Sequence, residues 1–263
     1  MSSLEKPAPP ARKRSALITG AGAGLARGIA LALARAGDDI AFTYRPGGTP
    51  PDQTLALLQS NGYSAQAFGV DFLAPEEIVE TALAPLVARV LPDILVHAVG
   101  PMTVKRFERT TLADYHEMMD GNLRSAVQAC SAVLPGMRER HFGRVIFFGL
   151  NGSQFTQPAR GLTLHAAAKA GLVAFARALA LEEGKHGITV NVVAPGDIRE
   201  KYRSRDEARM STAANPSGRP GSWEDVADAV LFLVRDDADF VNGAILNVAG
   251  GLADAYERNA QRP

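Results

Sequence analysis

Hydrophobic and polar positions alternate along this chain in two rhythms, and the rhythms take turns. Short apolar runs predict strands at Ser15–Thr19 (SALIT), Ile40–Tyr44 (IAFTY), Ala65–Val70, Ile94–Ala98 (ILVHA), Arg144–Phe148 (RVIFF), Ile188–Val193 (ITVNVV) and Ala244–Val248 (AILNV). Longer stretches with helical spacing separate them: Leu25–Ala36, Asp52–Asn61, Pro75–Val90, Thr111–Arg138, Thr163–Leu181 and Trp223–Val234. Thr111–Arg138 reads as one helix or as two, with Gly121 the candidate break. Several strands are continuous apolar runs rather than alternating ones. That marks a sheet covered on both faces, hence parallel with crossover helices. The expected fold is α/β, a doubly wound parallel sheet of about seven strands with helices on both faces, in a single domain spanning residues 14–263.

Three segments carry neither rhythm: Arg45–Pro51, Asn151–Gly161 and Gly196–Ser222. A long irregular loop such as 196–222 is either a substrate lid or a disordered excursion. Residues 1–13, rich in proline and charge, read as a flexible tail. The apolar run after them is too short for a secretory signal, and no window of about 18 apolar residues lacks charges, so no membrane span is expected.

Composition narrows this little. The chain has 263 residues, 46% hydrophobic and 21% charged, with zero formal net charge. There is no electrostatic footprint for nucleic acid or an anionic membrane. The single cysteine excludes an internal disulfide and fits a reducing cytoplasm. No Cys/His cluster has metal-ligand spacing, so no metal is expected.

Candidate chemistry lies in two places. The turn Thr19-Gly-Ala-Gly-Ala-Gly24-Leu-Ala26 follows the first strand and opens a helix. Glycines there admit a pyrophosphate, and free N–H groups at the helix start attract its charge. The spacing departs from G-x-G-x-x-G, because Gly20, Gly22 and Gly24 stand two apart. The other place is the Thr163 helix. It carries His165 and Lys169 four residues apart, stacked on one face of an otherwise apolar helix.

Taken with these, Thr-Gly-x-x-x-Gly-x-small from Thr19 resembles the short-chain dehydrogenase/reductase family. The resemblance runs from Ser15 to Gly251 and includes Asp71, Asn122, Lys169, Asn191-x-x-x-Pro195-Gly196, Gly218-Arg-Pro-Gly, and Asn242-Gly243 with Gly250-Gly251. The last of these resemble the ketoacyl-carrier-protein reductase branch. The resemblance implies a dinucleotide held by Gly20, Gly22, Gly24, Leu25, Asp71, Phe72, Ala98, Val99, Gly100, Lys169, Pro195, Gly196 and Ile198. It also implies a small-molecule substrate and a homotetramer or homodimer. The alanines of the Thr163 helix (Ala166, Ala167, Ala170, Ala174) suit close approach of a symmetry mate, or of the chain's own sheet. Charge at the end of the second strand selects the cofactor: Arg45 there favours NADP over NAD, unless it is a solvated surface arginine, and Arg27 is a second candidate.

The pattern departs from the family at the chemistry. His165 stands where the family has its catalytic tyrosine. Gly152 stands where it has its serine, with Ser153 next door and Asn151 and Gln154 as other donors. His97-Ala-Val-Gly100 replaces Asn-Asn-Ala-Gly, and Glu200 replaces a threonine. His97 either faces the cofactor or caps its strand. The expected site is Asn122, Ser153, His165 and Lys169. Burial and the Lys169 charge both oppose an imidazolium, so His165 is expected neutral, suited to act as a base. Three functions remain open: an NADP-dependent oxidoreductase on a small carbonyl or alcohol; a non-redox isomerase, lyase or cyclase using His165 as base; and a non-catalytic subunit or sensor.

Overall fold

The computed structural model describes residues 13–153 and 160–252. Gln154 and all of the expected tail except Lys13 lie outside them. Lys13 pairs with Asp39 at 2.6 Å. Seven strands form one parallel sheet: β1 (Ser15–Thr19), β2 (Asp39–Tyr44), β3 (Ala65–Gly69), β4 (Ile94–His97), β5 (Gly143–Phe148), β6 (Ile188–Pro195) and β7 (Ile245–Val248). Their order is β3-β2-β1-β4-β5-β6-β7. The order reverses between β1 and β4, which opens a crevice at the carboxyl ends of those strands.

Side chains alternate across the sheet, and both faces are dry. Leu17 of β1 enters a core shared with Leu83, Val133, Met137, Leu172 and Val173. Its neighbours Ala16 and Ile18 enter the opposite core with Ile29, Leu33, Phe42, Trp223 and Val230. The first core packs helices α3 (Glu76–Val90), α5 (Ser125–Glu139) and α6 (Thr163–Glu183) on the sheet; the second packs α1 (Gly24–Arg35) and α8 (Trp223–Leu233). Helix α2 (Asp52–Ser60) lies between β2 and β3 in sequence. Two-sided burial is why the strands read as unbroken apolar runs.

Two segments differ from the sequence reading. Helix α4 (Leu112–Met119) runs through Gly121 without a break, but as a π-helical turn over Asp120–Arg124 before α5 begins. Side chains explain the extra residue. Asn122 Nδ2 donates to the Met118 carbonyl at 2.9 Å, and Ser125 Oγ donates to the Gly121 carbonyl at 2.8 Å. Such back-bonding competes with the helical ladder and widens it. The irregular loop 196–222 contains a short helix, α7 (Arg205–Arg209), started by a Ser204/Glu207 capping box.

Helix α6 is long and apolar enough to cross a membrane by length and composition. Here it lies along the sheet, with His165, Ala168, Lys169, Leu172, Val173 and Ala176 buried. Ala167 and Ala174 are exposed, and Ala166 and Ala170 half-buried. Ala167 and Ala174 therefore do not pack on the chain's own sheet.

Candidate active site

The glycine turn follows β1 and lies at the edge of a cleft of about 280 Å³. Gly20, Gly22, Tyr44, Arg45, Asp71, Phe72, Ala98, Val99, Gly100 and Pro101 are among the residues that line it. Gly20 and Gly24 have φ of 70° and 65°, in the left-handed region that glycine tolerates best. A Cβ on Gly22 would stand 2.9 Å from the Thr49 carbonyl oxygen. The turn is thus a bare cradle ending at the N-terminus of α1, whose N-cap Ala23 supplies no side-chain acceptor. Its first N–H groups have no intrahelical partner and would receive an anion.

Arg45 directly follows β2 and is the one basic residue lining this cleft among the described residues; it meets Asp71 at 3.3 Å. That pair is largely exposed and therefore weak and easily opened. Arg27, the second candidate, is already engaged. Its guanidinium lies 4.0 Å over the Tyr202 ring and donates to Gln53. Phe72 is buried, with its ring edge-on to His97 at 5.6 Å. Ile198 packs towards Gly221 and the α1/α8 core. Glu200 pairs with Arg203.

His97 neither caps its strand nor turns to the cleft. It is fully buried, with Nδ1 3.0 Å from Thr19 Oγ1 and Nε2 3.0 Å from Ser125 Oγ. Ser125 gives its proton to the Gly121 carbonyl, so its oxygen accepts from His97 Nε2–H and the Thr19 hydroxyl donates to Nδ1. Burial, aided by the Lys169 charge, pushes the His97 pKa down to about 3, which keeps this network neutral.

Three of the four expected catalytic residues come together. Pro101 offers one carbonyl oxygen to two of them: Asn122 Nδ2 donates to it at 3.0 Å and His165 Nδ1 at 3.1 Å. Gly100 fits between the remaining groups. A Cβ there would stand 2.9 Å from Asn122 Oδ1 and 3.1 Å from Lys169 Nζ. Lys169 Nζ donates to the Phe148 carbonyl at 2.7 Å. Ser153 is buried beside Gly149, and its hydroxyl has no hydrogen-bond partner among the described residues. Asn122 Oδ1 is equally buried and unpartnered. Two orphaned buried acceptors beside a glycine cradle fit a polar ligand. A dinucleotide's nicotinamide half and a reacting partner would satisfy groups of this kind.

A carbonyl oxygen only accepts, so His165 carries its proton on Nδ1 and leaves Nε2 as the basic nitrogen. Burial first, then the Lys169 charge, pushes its pKa down to about 4; the Pro101 carbonyl opposes this. Lys169 is itself lowered to about 8, by burial and then by Lys201. At neutral pH the pair is a neutral imidazole beside a mostly cationic lysine.

Sequence reasoning missed Pro101, Gly121 and Lys201. Gly121 is where Pro101 packs: a Cβ would lie 2.5 Å from the proline ring. The only signal was proximity to Gly100 and Asn122, because a backbone carbonyl leaves no trace in side-chain chemistry.

Known proteins share the fold and much of the sequence. A family model described as enoyl-(acyl carrier protein) reductase matches residues 20–253. The 3-oxoacyl-(acyl-carrier-protein) reductase FabG of Escherichia coli is 33% identical over 241 residues, covering 90% of this chain and 96% of that enzyme. Acetoin dehydrogenase from Enterobacter cloacae superposes with a TM-score of 0.81 at 26% identity, covering 96% of this chain and 99% of that one. A blue fluorescent protein from a metagenomic library, solved in complex with NADPH, gives 0.78 at 30% identity over 91% of this chain and 98% of that one. The chain belongs to the short-chain dehydrogenases/reductases, an oxidoreductase family, in the branch of the ketoacyl-carrier-protein reductases.

Proposed function

We propose that this protein is an NADP-dependent oxidoreductase that runs in the direction of alcohol oxidation, with His165 as the base. The observation that carries the direction is the hydrogen bond from His165 Nδ1 to the Pro101 carbonyl in a buried site. It fixes the tautomer, leaving the lone pair on Nε2, while burial first and then the Lys169 charge keep the imidazole neutral. Such a group accepts the hydroxyl proton of an alcohol and has none to give to a ketone.

The residues divide the work as follows. Gly20, Gly22, Gly24 and the N–H groups around Leu25 would hold the diphosphate. Arg45 would take the 2′-phosphate, since no carboxylate ends β2 to prefer the ribose hydroxyls of NAD. Asp71, Phe72, Ala98, Val99 and Gly100 would border the adenosine and nicotinamide ribose, and Pro195, Gly196 and Ile198 the nicotinamide. Bound NADP would supply the hydride acceptor. Ser153 orients the substrate oxygen with its free hydroxyl. His165 Nε2 takes the hydroxyl proton, and Asn122 holds His165 in place through the shared Pro101 carbonyl. Lys169 keeps the imidazole neutral by repulsion and holds the end of β5 through Phe148. The 196–222 loop would cover a small substrate. A cytoplasmic homotetramer, assembled in part on the exposed alanines of α6, belongs to the same reading.

The test uses NADP and a panel of small secondary alcohols, with reduced nicotinamide as the readout. His165→Ala should lower kcat at least ~100-fold while NADPH affinity stays within about twofold. Unchanged turnover in that variant would remove His165 from the chemistry. A neutral His165 base also serves proton abstraction without hydride transfer. Turnover of a substrate by the NADP-free protein would favour that non-redox reading instead.

A further inference from the structure

Lys201 belongs to no motif, yet it lies across the glycine turn. Its Cβ and Cδ are 3.4 and 3.5 Å from the point where a Cβ on Gly24 would stand. Gly24 opens α1, a helix of 12 residues. The lysine stem therefore crosses the positive end of that helix, where first-turn N–H groups have no helical acceptor. Lys201 makes no ion pair among the described residues, and the neighbouring Glu200 is taken by Arg203. Its charge acts on both His165 and Lys169, disfavouring protonation of each. Lys201 is exposed, and its stem brings a cation near both a helix N-terminus and Lys169, like charges that repel it. An anion at the helix start would attract both the N–H groups and the ammonium.

The segment is also held in place. Tyr202 stacks on Trp223 with ring centroids 5.7 Å apart and planes 8° apart, and Arg27 lies on Tyr202. Trp223 in turn sits directly on Gly28 of α1, where a Cβ would come within 2.4 Å of the indole. The backbone N–H of Trp223 donates to the Arg203 carbonyl. The residue after Lys201 is thus pinned to the same helix whose N-terminus Lys201 crosses.

We propose that Lys201 is a diphosphate-contacting residue: its ammonium closes on the dinucleotide's diphosphate from the loop side, opposite the N–H groups of α1. The proposal rests on the dinucleotide reading above and goes further, assigning a residue of the 196–222 loop to the diphosphate. The experiment titrates NADPH by its fluorescence, and 2′-AMP by calorimetry, into the wild type, Lys201→Met and Lys201→Arg. 2′-AMP carries the 2′-phosphate and adenine but no diphosphate. Lys201→Met keeps the stem on Gly24 and should weaken NADPH binding roughly tenfold to a hundredfold, with a shallower salt dependence. Lys201→Arg should stay within about threefold of the wild type, since it keeps the charge. 2′-AMP should bind all three alike. NADPH affinity unchanged in Lys201→Met would overturn the proposal and leave the dinucleotide site standing. So would an equal loss of NADPH and 2′-AMP affinity. A wild type that binds 2′-AMP but no NADPH or NADH would overturn the dinucleotide reading, and the proposal with it.

Discussion

The neutrality of His165 has a thermodynamic consequence that can be measured without a substrate. In the folded protein the imidazole is buried, with its pKa pushed down to about 4. In the unfolded chain it returns to ~6.5. Between those values the unfolded chain holds a proton that the folded protein refuses. Stability is therefore full above the unfolded pKa and falls as pH drops through this window, with the unfolded state binding more protons throughout. For this one group the loss between pH ~7.5 and ~5 integrates to about 2 kcal/mol, and it reaches about 3 kcal/mol when both states are protonated. His97, lowered to about 3, contributes with the same sign.

The perturbation that isolates the effect is His165→Asn. Asparagine can place an amide N–H near the Nδ1 position, facing the Pro101 carbonyl, and it does not titrate. His97 is common to both proteins and cancels. Urea unfolding followed by circular dichroism at several pH values gives the free energy of each. The wild type should lose about 2 kcal/mol more than the variant on going from pH ~7.5 to ~5. The wild-type curve should fall relative to that of the variant as acid is added, whatever their offset at neutral pH. Curves that stay parallel across the window would mean that His165 titrates alike in both states. The argument for a buried neutral base would then fail, and with it the preference for alcohol oxidation.

Two further outcomes follow from distances in the site. Gly100→Ala puts a methyl group 2.9 Å from Asn122 Oδ1 and 3.1 Å from Lys169 Nζ; it should cost about 1–3 kcal/mol of stability and roughly 100-fold in kcat, read by unfolding and steady-state rates, and wild-type turnover would show that this wedge is not critical. Arg45→Glu should cost roughly tenfold to a hundredfold in NADPH affinity while NADH affinity rises, and a fluorescence titration with no change of preference would make Arg45 a surface residue.

The layers of the fold were legible because burial on two faces writes itself into composition. β1 came out with both boundaries right, and most other elements within one or two residues. The glycine turn was legible as well, since positive φ at Gly20 and Gly24 and the tight approach at Gly22 demand glycine. The π-helical turn was not. It depends on Asn122 and Ser125 bonding to carbonyls one turn back, and nothing in their identities distinguishes that from an exposed polar face. Helix α7 escaped because a five-residue helix has little periodicity to read. Lys201 escaped because its importance lies in the folding of one loop over another. The wiring of the site runs through the carbonyls of Pro101, Phe148 and Gly121, which no side-chain pattern announces.

His97 shows how a departure from the family pattern can be structural and still bear on the site. The imidazole fills a fully buried position, where an unsatisfied polar group would cost about 1–3 kcal/mol. Both of its nitrogens are satisfied, by Thr19 at the start of the phosphate turn and by Ser125 just after the π-helical turn. Thr19 Oγ1 also accepts the Ala98 N–H at 3.0 Å, tying β1 to the end of β4. A chain of bonds therefore runs from Thr19 through His97 and Ser125 to the Gly121 carbonyl, one residue from Asn122. Asn122 continues it through Pro101 to His165. The phosphate turn and the proposed base are thus joined by side chains whose geometry leaves little slack. Two of the positions expected to depart from the family pattern, His97 and His165, are connected by this network of neutral histidines. The change at His97 supports the turn that aims Asn122, and Asn122 shares with His165 the carbonyl that fixes its tautomer.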